Sequence, residues 1–508
     1  MKRSRIGAGR KMALPVIAIT AAGALLRFWE IGQKGLWLDE AFSIWLAWQP
    51  IGPMVAWVAQ VDQHPPLYYL LLHFWIQLAG DTPASVRLLS ALLGAATIPI
   101  TFLVGRRLLG ARPALIAAFI LALSPFHVRF AQETRMYTLL ALNASLALLA
   151  LTHLLTDDPE ARQAHTSLRV SLKWAGYVVF TAATMLSHNT AIFFPLAVNL
   201  FVLSLWLLPP TFHASRFTRL PLKSWLLAQL AVLLLWSPWL LPFVTQAAGV
   251  DREFWIPKPT WAAVWAVLKS FLSAMLPPLG GWAAVIWAGY GGLIALAIMR
   301  LRRQPALLAL FAILFAAPIV GELLVSLRRP IFHDRTLIWA TLPLYLLLAV
   351  GIAGLRRRPL ILAGLVGVAA VNLISLRHYY VYFEKEEWGP AAAYVAARVE
   401  PDDLLLFNAT WVQIPFNYYF RAYGLSVEQR GAPVDLFEAG VLEPKMTPAD
   451  LPRLHALVAG RRRVWLIYSH DWYTDPRGLI PDALAQHVAL LEQRRFVGLE
   501  VRLYAAPP

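Results

Sequence analysis

The sequence predicts a mainly α polytopic membrane protein with a soluble α/β domain at its C-terminal end. Three observations predict it. Of the 508 residues, 58% are hydrophobic and 15% charged, against roughly 25% charged in ordinary soluble proteins; the mean hydropathy is +0.56. Long apolar runs alternate with short basic clusters, as topology signals do. Beyond Tyr379 the composition changes to that of a water-soluble domain.

The elements follow in order. "MKRSRIGAGRK" and the apolar run behind it resemble the start of a signal peptide. The run continues towards Phe28 and Trp29, and further spans follow, so it reads as an uncleaved first span. A span needs roughly 17–25 apolar residues. About eleven runs fit this: 12–30, 84–104, 111–126, 136–155, 174–188, 190–208, 225–245, 282–299, 306–325, 336–354 and 359–376. If the spans alternate, the basic clusters fall on one side. These are the N-terminal arm, Arg106/Arg107/Arg112, Arg162/Arg169/Lys173, Arg216/Arg219/Lys223, Arg300/Arg302/Arg303 and Arg356 to Arg358. The positive-inside rule makes that side cytoplasmic. An odd number of spans then places the N-terminus inside and residues 377–508 outside the plasma (inner) membrane. The expected domains are 1–376, in the membrane, and 377–508, extracytoplasmic.

Four shorter stretches read as interfacial helices: "KGLWLDEAFSIWLAW", "GPMVAWVAQVDQ", "HPPLYYLLLHFWIQLAG", which could also be a true span, and a segment near 261–278. In the last domain, "KEEWGPAAAYVAARV", "PADLPRLHALVAG" and "IPDALAQHVALLEQ" read as helices. "DDLLLFNA", "RRVWLIYSH" and "FVGLEVRLYAA" read as strands. There is no Gly-rich phosphate loop, which argues against a nucleotide site. The net charge of +16 lies in clusters between spans, so it argues for topology rather than nucleic acid. The 21 tryptophans suit long membrane–water interfaces. The absence of cysteine excludes a disulfide framework and thiol chemistry.

Ionisable groups cost about 2.5–3.5 kcal/mol at the centre of a membrane helix. Here they gather at the outer ends of the spans. "KGLWLDEAFSIWLAW" places Asp39 and Glu40 in a tryptophan-rich apolar helix, with Ser43 one turn from Asp39. Asp62 and His64 follow. "HVRFAQETRMY" supplies His127, Arg129, Gln132, Glu133, Arg135 and Tyr137; "SHNT" supplies His188 and Asn189; "RRPIFHDR" supplies Arg328, Arg329, His333, Asp334 and Arg335. The arginines on this side run against the positive-inside rule, so an anion should balance them, either the nearby acids or a bound phosphate. Arginine's planar fork suits phosphate oxygens, and a lipid-phosphate headgroup fits a polar constellation open to the membrane interface. Structural readings stand beside this one. Asp39 and Glu40 could pair with Arg27 or Arg135. The double proline could simply start a helix. Arg135 and Arg335 could be interfacial anchors, and His188 a satisfied buried histidine. No His/Asp/Glu spacing reads as a metal site and no Ser–His–Asp order is persuasive; a divalent cation stays open as a cofactor.

The "DE" pair beyond the first span, "HPPL", "ETRMY" and the late "DRTLIWATLPLYLLL" together resemble one family. It is that of the dolichyl-phosphate-mannose protein mannosyltransferases, with bacterial relatives such as the lipid A aminoarabinose transferases, among the C-type membrane glycosyltransferases. The resemblance covers roughly residues 12–376, and the terminal domain is similar to the outer domain of bacterial members. It implies a polyprenyl-phosphate sugar donor and inverting transfer of a hexose or pentose outside the cytoplasm, onto a protein, lipid or cell-envelope glycan. By that resemblance Asp39 falls on the catalytic aspartate and Glu40 on its neighbour. His64 falls on the basic residue before the double proline, and Arg135 and Arg335 on the arginines that hold the donor phosphate. Arg129, Glu133, Tyr137, His188 and His333 are the further substrate-binding candidates. The aminoarabinose transferases resemble "KPP" where this chain has His64, so their acceptor does not carry over.

The chemistry agrees with this set. A glycosyl phosphate already has a good leaving group, whereas an acceptor hydroxyl needs a base. One carboxylate plus arginines therefore suffices, unlike hydrolysis of an ordinary glycoside with its two carboxyl groups. A ligase using a polyprenyl-diphosphate donor and a transporter or flippase of lipid-linked sugars are the rival readings. Transporters usually show repeats, broken helices and charges near the midplane.

Overall fold

In the computed structural model, residues 2–60, 64–156, 167–209, 211, 217–249, 256, 258–436 and 444–505 are described. Asp62, Arg162 and Arg216 lie outside them, as do the side chains of the N-terminal arm and of Arg169. The contacts divide the chain into two units. One comprises Met1–Trp29, His64–Tyr68 and Arg87–Tyr382; the other comprises Glu30–Gln63, Tyr69–Val86 and Phe383–Pro508.

The first unit is helical. Among the described residues, eight helices are long and apolar enough to cross a membrane, or nine if a bent pair is one span. The expected eleven runs are all helical, but three differ from full spans. The apolar part of the first, Met12–Phe28, is short, and the fifth, Ser167–Met185, is not among the eight. The third is the bent pair, Ala111–Leu123 and Pro125–Ala131, which meet at 54°. The break has a local cause. Pro125 cannot continue the hydrogen-bond ladder but suits the first position of a new helix. Ser124 caps that helix by accepting from the His127 N–H at 3.3 Å. Carbonyls left at the end of the first half are taken by Arg27, whose guanidinium donates to Leu121 O at 3.2 Å and Ala122 O at 3.1 Å. This is the structural work of Arg27, where the sequence had allowed pairing with Asp39 or Glu40. At the centre runs Thr341–Ala353, buried along almost its whole length. Gly351 lets it approach the helix Trp282–Leu301: an added Cβ would lie 2.2 Å from the Leu293 carbonyl oxygen.

The second unit joins two short helices and most of a third to the C-terminal domain. Leu38–Trp48, Ile51–Gln60 and Leu67–Ala79 have 11, 10 and 13 residues, too few to span a bilayer core. The domain holds a five-stranded sheet of β1 (Leu404–Asn408), β2 (Glu428–Ala432), β3 (Arg463–Ser469), β4 (Ala489–Phe496) and β5 (Leu499–Ala505). Their order is β2-β1-β3-β5-β4. β1 pairs parallel with β2 and β3, and β5 antiparallel with β3 and β4. Strand alternation sends Leu405, Phe407, Trp465 and Ile467 into one core with Ala391, Phe416 and Phe420. Leu404, Leu406, Val464 and Leu466 enter the opposite core with Leu454, Val458 and Leu484. One expectation needs correction and one strand was not expected. The helix expected over "IPDALAQHVALLEQ" ends at His487, and 489–496 is an edge strand. It is exposed on both faces and carries Glu492, Gln493, Arg494 and Arg495, a charged rim suited to an unpaired edge. Strand β2, "EQRGA", has too little apolar alternation to be read from sequence.

Candidate active site

In the first unit, one tight connection presents the arginine of "ETRMY". After Ala131 the chain turns through Gln132, whose side-chain amide donates to Arg27 O at 3.1 Å and Trp29 O at 2.7 Å. The Arg135 N–H bonds Glu133 O at 2.8 Å, and Ser90 Oγ, itself 2.8 Å from the Tyr68 hydroxyl, donates to Arg135 O at 3.2 Å. The backbone under Arg135 is therefore held on both sides. Its guanidinium lies 3.5 Å from His64 Nε2. The His64 and His188 rings meet edge to face with centroids 5.1 Å apart, and Tyr137 lies against His188 at 6.3 Å.

Arg335 arrives from another span. It sits in a seven-residue 3-10 helix, Asp334–Ala340, directly before the central helix. Such a long 3-10 run is uncommon. Pro343, in the first turn of the following helix, offers no N–H to Trp339. The Arg335 guanidinium lies over the Tyr137 ring, 5.7 Å from its centroid, a cation–π distance. The same short helix is tied down by Glu322, which is buried and accepts from Thr336 Oγ1 at 2.9 Å.

Five of the residues expected from sequence thus gather around His188: His64, Arg135, Tyr137, His333 and Arg335. Burial, and then the charges of these neighbours, hold the His188 ring well below the usual histidine range. Its Nδ1 accepts from the Thr190 N–H at 3.2 Å, so the neutral ring carries its proton on Nε2. The acids nearby are engaged: Glu133 pairs with Arg129 at 3.5 Å, and Asp334 with His333 at 2.8 Å. Arg129 therefore stands with Glu133 on the connection. An arrangement of two arginines and imidazole rings around an aromatic ring can take a tetrahedral anion.

In the second unit, Asp39 and Glu40 open the helix Leu38–Trp48. Glu40 is fully buried, and its Oε2 lies 2.8 Å from the buried Lys385 ammonium. Asp39, one residue earlier, is partly exposed, and its carbonyl accepts from Ser43 Oγ at 2.9 Å. Successive residues on a helix turn by about 100°, so one acid can face inward and the other outward. Glu40, expected as a neighbour of the reacting group, is one half of a buried ion pair with Lys385.

Sequence reading missed Glu322 and Lys385. A lone acid in the 22-residue apolar helix Pro305–Ser326 was the available signal for the first. The "KEE" run at the domain entrance was the signal for the second. Among the described residues, no group of three or more His, Cys, Asp or Glu side chains is placed to hold a metal ion.

Residues 63–241 match the family model of dolichyl-phosphate-mannose-protein mannosyltransferases. No curated protein matches the chain by sequence. Among solved structures, ArnT from Cupriavidus metallidurans bound to undecaprenyl phosphate superposes with a TM-score of 0.64 at 14% identity, over 96% of this chain and 97% of that one. The apo state of ArnT gives 0.63 at 15% identity, with the same coverage. The apo oligosaccharyltransferase of Archaeoglobus fulgidus gives 0.59 at 11%, covering 98% of this chain and 74% of that one. At these identities the likeness is one of fold.

Proposed function

We propose that the chain, whose residues 63–241 match the family model of dolichyl-phosphate-mannose-protein mannosyltransferases, transfers a sugar from a polyprenyl-phosphate donor to a hydroxyl of an acceptor, with inversion. The observation that carries this reading is the gathering of Arg135, Arg335 and His64 around His188 and Tyr137 at the ends of membrane helices. A single phosphate on a lipid tail matches that chemistry and that depth. ArnT has been solved bound to undecaprenyl phosphate, which supports the same donor class here.

In the proposed mechanism the acceptor oxygen attacks the anomeric carbon from the face opposite the phosphate. The bond from that carbon to the phosphate oxygen breaks, and the hydroxyl proton passes to the Asp39 carboxylate. Arg135 and Arg335 stabilise the charge that builds on the departing polyprenyl phosphate. His64, His188 and Tyr137 line the same cluster and shape it around the phosphate. The side of action is extracytoplasmic by the distribution of basic clusters, with the N-terminus inside and residues 377–508 outside.

The test is direct. Asp39→Asn keeps the shape of the side chain but cannot take the proton, so turnover should fall by roughly 10²–10⁴ with donor binding near parental. Parental turnover would remove Asp39 from the mechanism. Reporter fusions at Pro401 and after Arg107 should report opposite sides of the membrane, and a cytoplasmic signal at Pro401 would reverse the assigned orientation.

A further inference from the structure

The sheet of the C-terminal domain has a topological switch point. From β1 the chain passes to β2 on one side, then crosses back to β3 on the other. The helix after β1 contributes Phe416 to one face, and the helix after β2 contributes Leu454 to the opposite face. In open α/β sheets the crevice beyond the carboxyl ends of two such strands is where ligands bind. Here residues of the chain itself fill it. Beyond β1 stands Trp411, and beyond β3 stands His470, their rings 5.1 Å apart. His470 Nε2 lies 3.3 Å from Glu386 Oε1. Gly498, between β4 and β5, has no room for a side chain: a Cβ would lie 2.6 Å from Glu386 Cγ.

Glu386 in turn reaches the helix that carries Asp39. Its Oε2 accepts from the Leu38 N–H at 3.0 Å and from Trp388 Nε1 at 2.6 Å. Leu38 is the first residue of that helix, and its N-cap, Trp37, has no side-chain oxygen to offer the open N–H groups. The Glu386 carboxylate supplies the acceptor from elsewhere in the chain, with the charge a helix N-terminus favours. Beside it, Lys385 holds Glu40 at 2.8 Å. Three further contacts hold the preceding strap, two to the same segment and one to the helix Gln413–Phe420. Lys34 Nζ donates to Phe383 O at 2.7 Å, Leu36 N–H donates to the Tyr419 hydroxyl at 2.8 Å, and a Cβ on Gly35 would stand 2.9 Å from Glu386 O.

We propose that Lys385, Glu386 and His470 are positioning residues: the strand-end crevice of the α/β domain, where other such sheets take a ligand, grips the first turn of the Asp39 helix and sets the orientation of Asp39. This rests on the reading of Asp39 as the base. Lys385 fixes the rotation of the helix through Glu40, and Glu386 fixes its end through Leu38. Burial pushes the Glu386 carboxyl above its usual range; His470 opposes this and the charge of Asp39 adds to it, so Glu386 and Asp39 lie within electrostatic reach. The C-terminal domain thereby acts in catalysis without supplying a reacting group.

The experiment measures kcat, donor affinity and thermal unfolding of the full-length protein, in detergent with a short-chain polyprenyl-phosphate sugar. Lys385→Met alone strands the Glu40 charge, so the informative variant is Glu40→Gln with Lys385→Met, which removes both charges and preserves volume. Glu386→Gln is the second. Each should lower kcat by roughly 10- to 100-fold, the scale of a misplaced reacting group, with donor affinity unchanged. Lys385→Arg should recover most of the rate. In an Asp39→Asn background the same changes should cost nothing further, because their effect passes through Asp39. Folded variants with parental kcat overturn the proposal, as does an added loss in the Asp39→Asn background. Parental turnover by Asp39→Asn itself overturns the base assignment first, and the positioning role with it.

Discussion

The Lys385 ammonium lies 2.8 Å from Glu40 Oε2, with the two side chains 3% and 0% exposed. A pair this deep has lost the hydration of both charges, so each partner depends on the other. Removing one should be far more damaging than removing both: Glu40→Ala or Lys385→Ala should destabilise by about 3–5 kcal/mol, whereas a well-packed apolar pair should be near neutral. Unfolding of the three variants in detergent checks the order. Equal and small losses for the single changes would mean that water reaches the pair.

Arg335 should behave differently, because its proposed partner is the substrate. Arg335→Ala should weaken donor use strongly while changing thermal stability little. Arg335→Lys should rescue only in part, since a point charge does not reproduce the planar fork. Steady-state kinetics against the donor, beside thermal unfolding, separates the two. A collapse in stability with normal donor binding by the surviving folded protein would make Arg335 a structural ion-pair member.

His188 carries a pH prediction. Its folded value lies well below 6.5 while the unfolded chain returns to about that value. Below that pH the unfolded state binds a proton that the folded state refuses, so stability is full above about 6.5 and falls as the pH drops towards the folded value. The slope from this one group is at most about 1.4 kcal/mol per pH unit. His188→Asn keeps an N-cap for Asn189–Ile192 and should flatten that acid loss. Identical acid profiles for the two proteins would contradict it.

Two glycines make a matched pair. Gly351→Ala drives a methyl into the Leu293 carbonyl and should destabilise by about 1–3 kcal/mol, the usual scale of overpacking. Gly367→Ala, also within a long helix, meets nothing within 4 Å and should be neutral or slightly stabilising. Unfolding midpoints measured side by side test the contrast.

What the sequence determined by itself was whatever depends on local composition. Apolar length marks a membrane helix, because a bilayer demands a run of fixed length, and the runs at 84–104 or 306–325 could be placed within a few residues. The same economy exposes charge: few ionisable groups are tolerated near apolar spans, so Asp39, Arg135, His188 and Arg335 stood out as candidates before any contact was known. Strands β1, β3 and β5 were legible because their apolar runs have strand length. The tertiary structure decided what depends on distant partners. Strand β4 forms from "ALLEQRRF" because β5 offers it a ladder, although its composition also suits a helix. The break at Ser124 survives because Arg27, nearly a hundred residues earlier, takes the loose carbonyls. Above all, two adjacent acids with the same local surroundings acquired different roles. Glu40 is drawn inward by Lys385, 345 residues away in the chain, and Asp39 is left partly exposed. A buried charge is tolerable only beside a compensating one, and no reading of nearest neighbours can say where in the chain that partner lies.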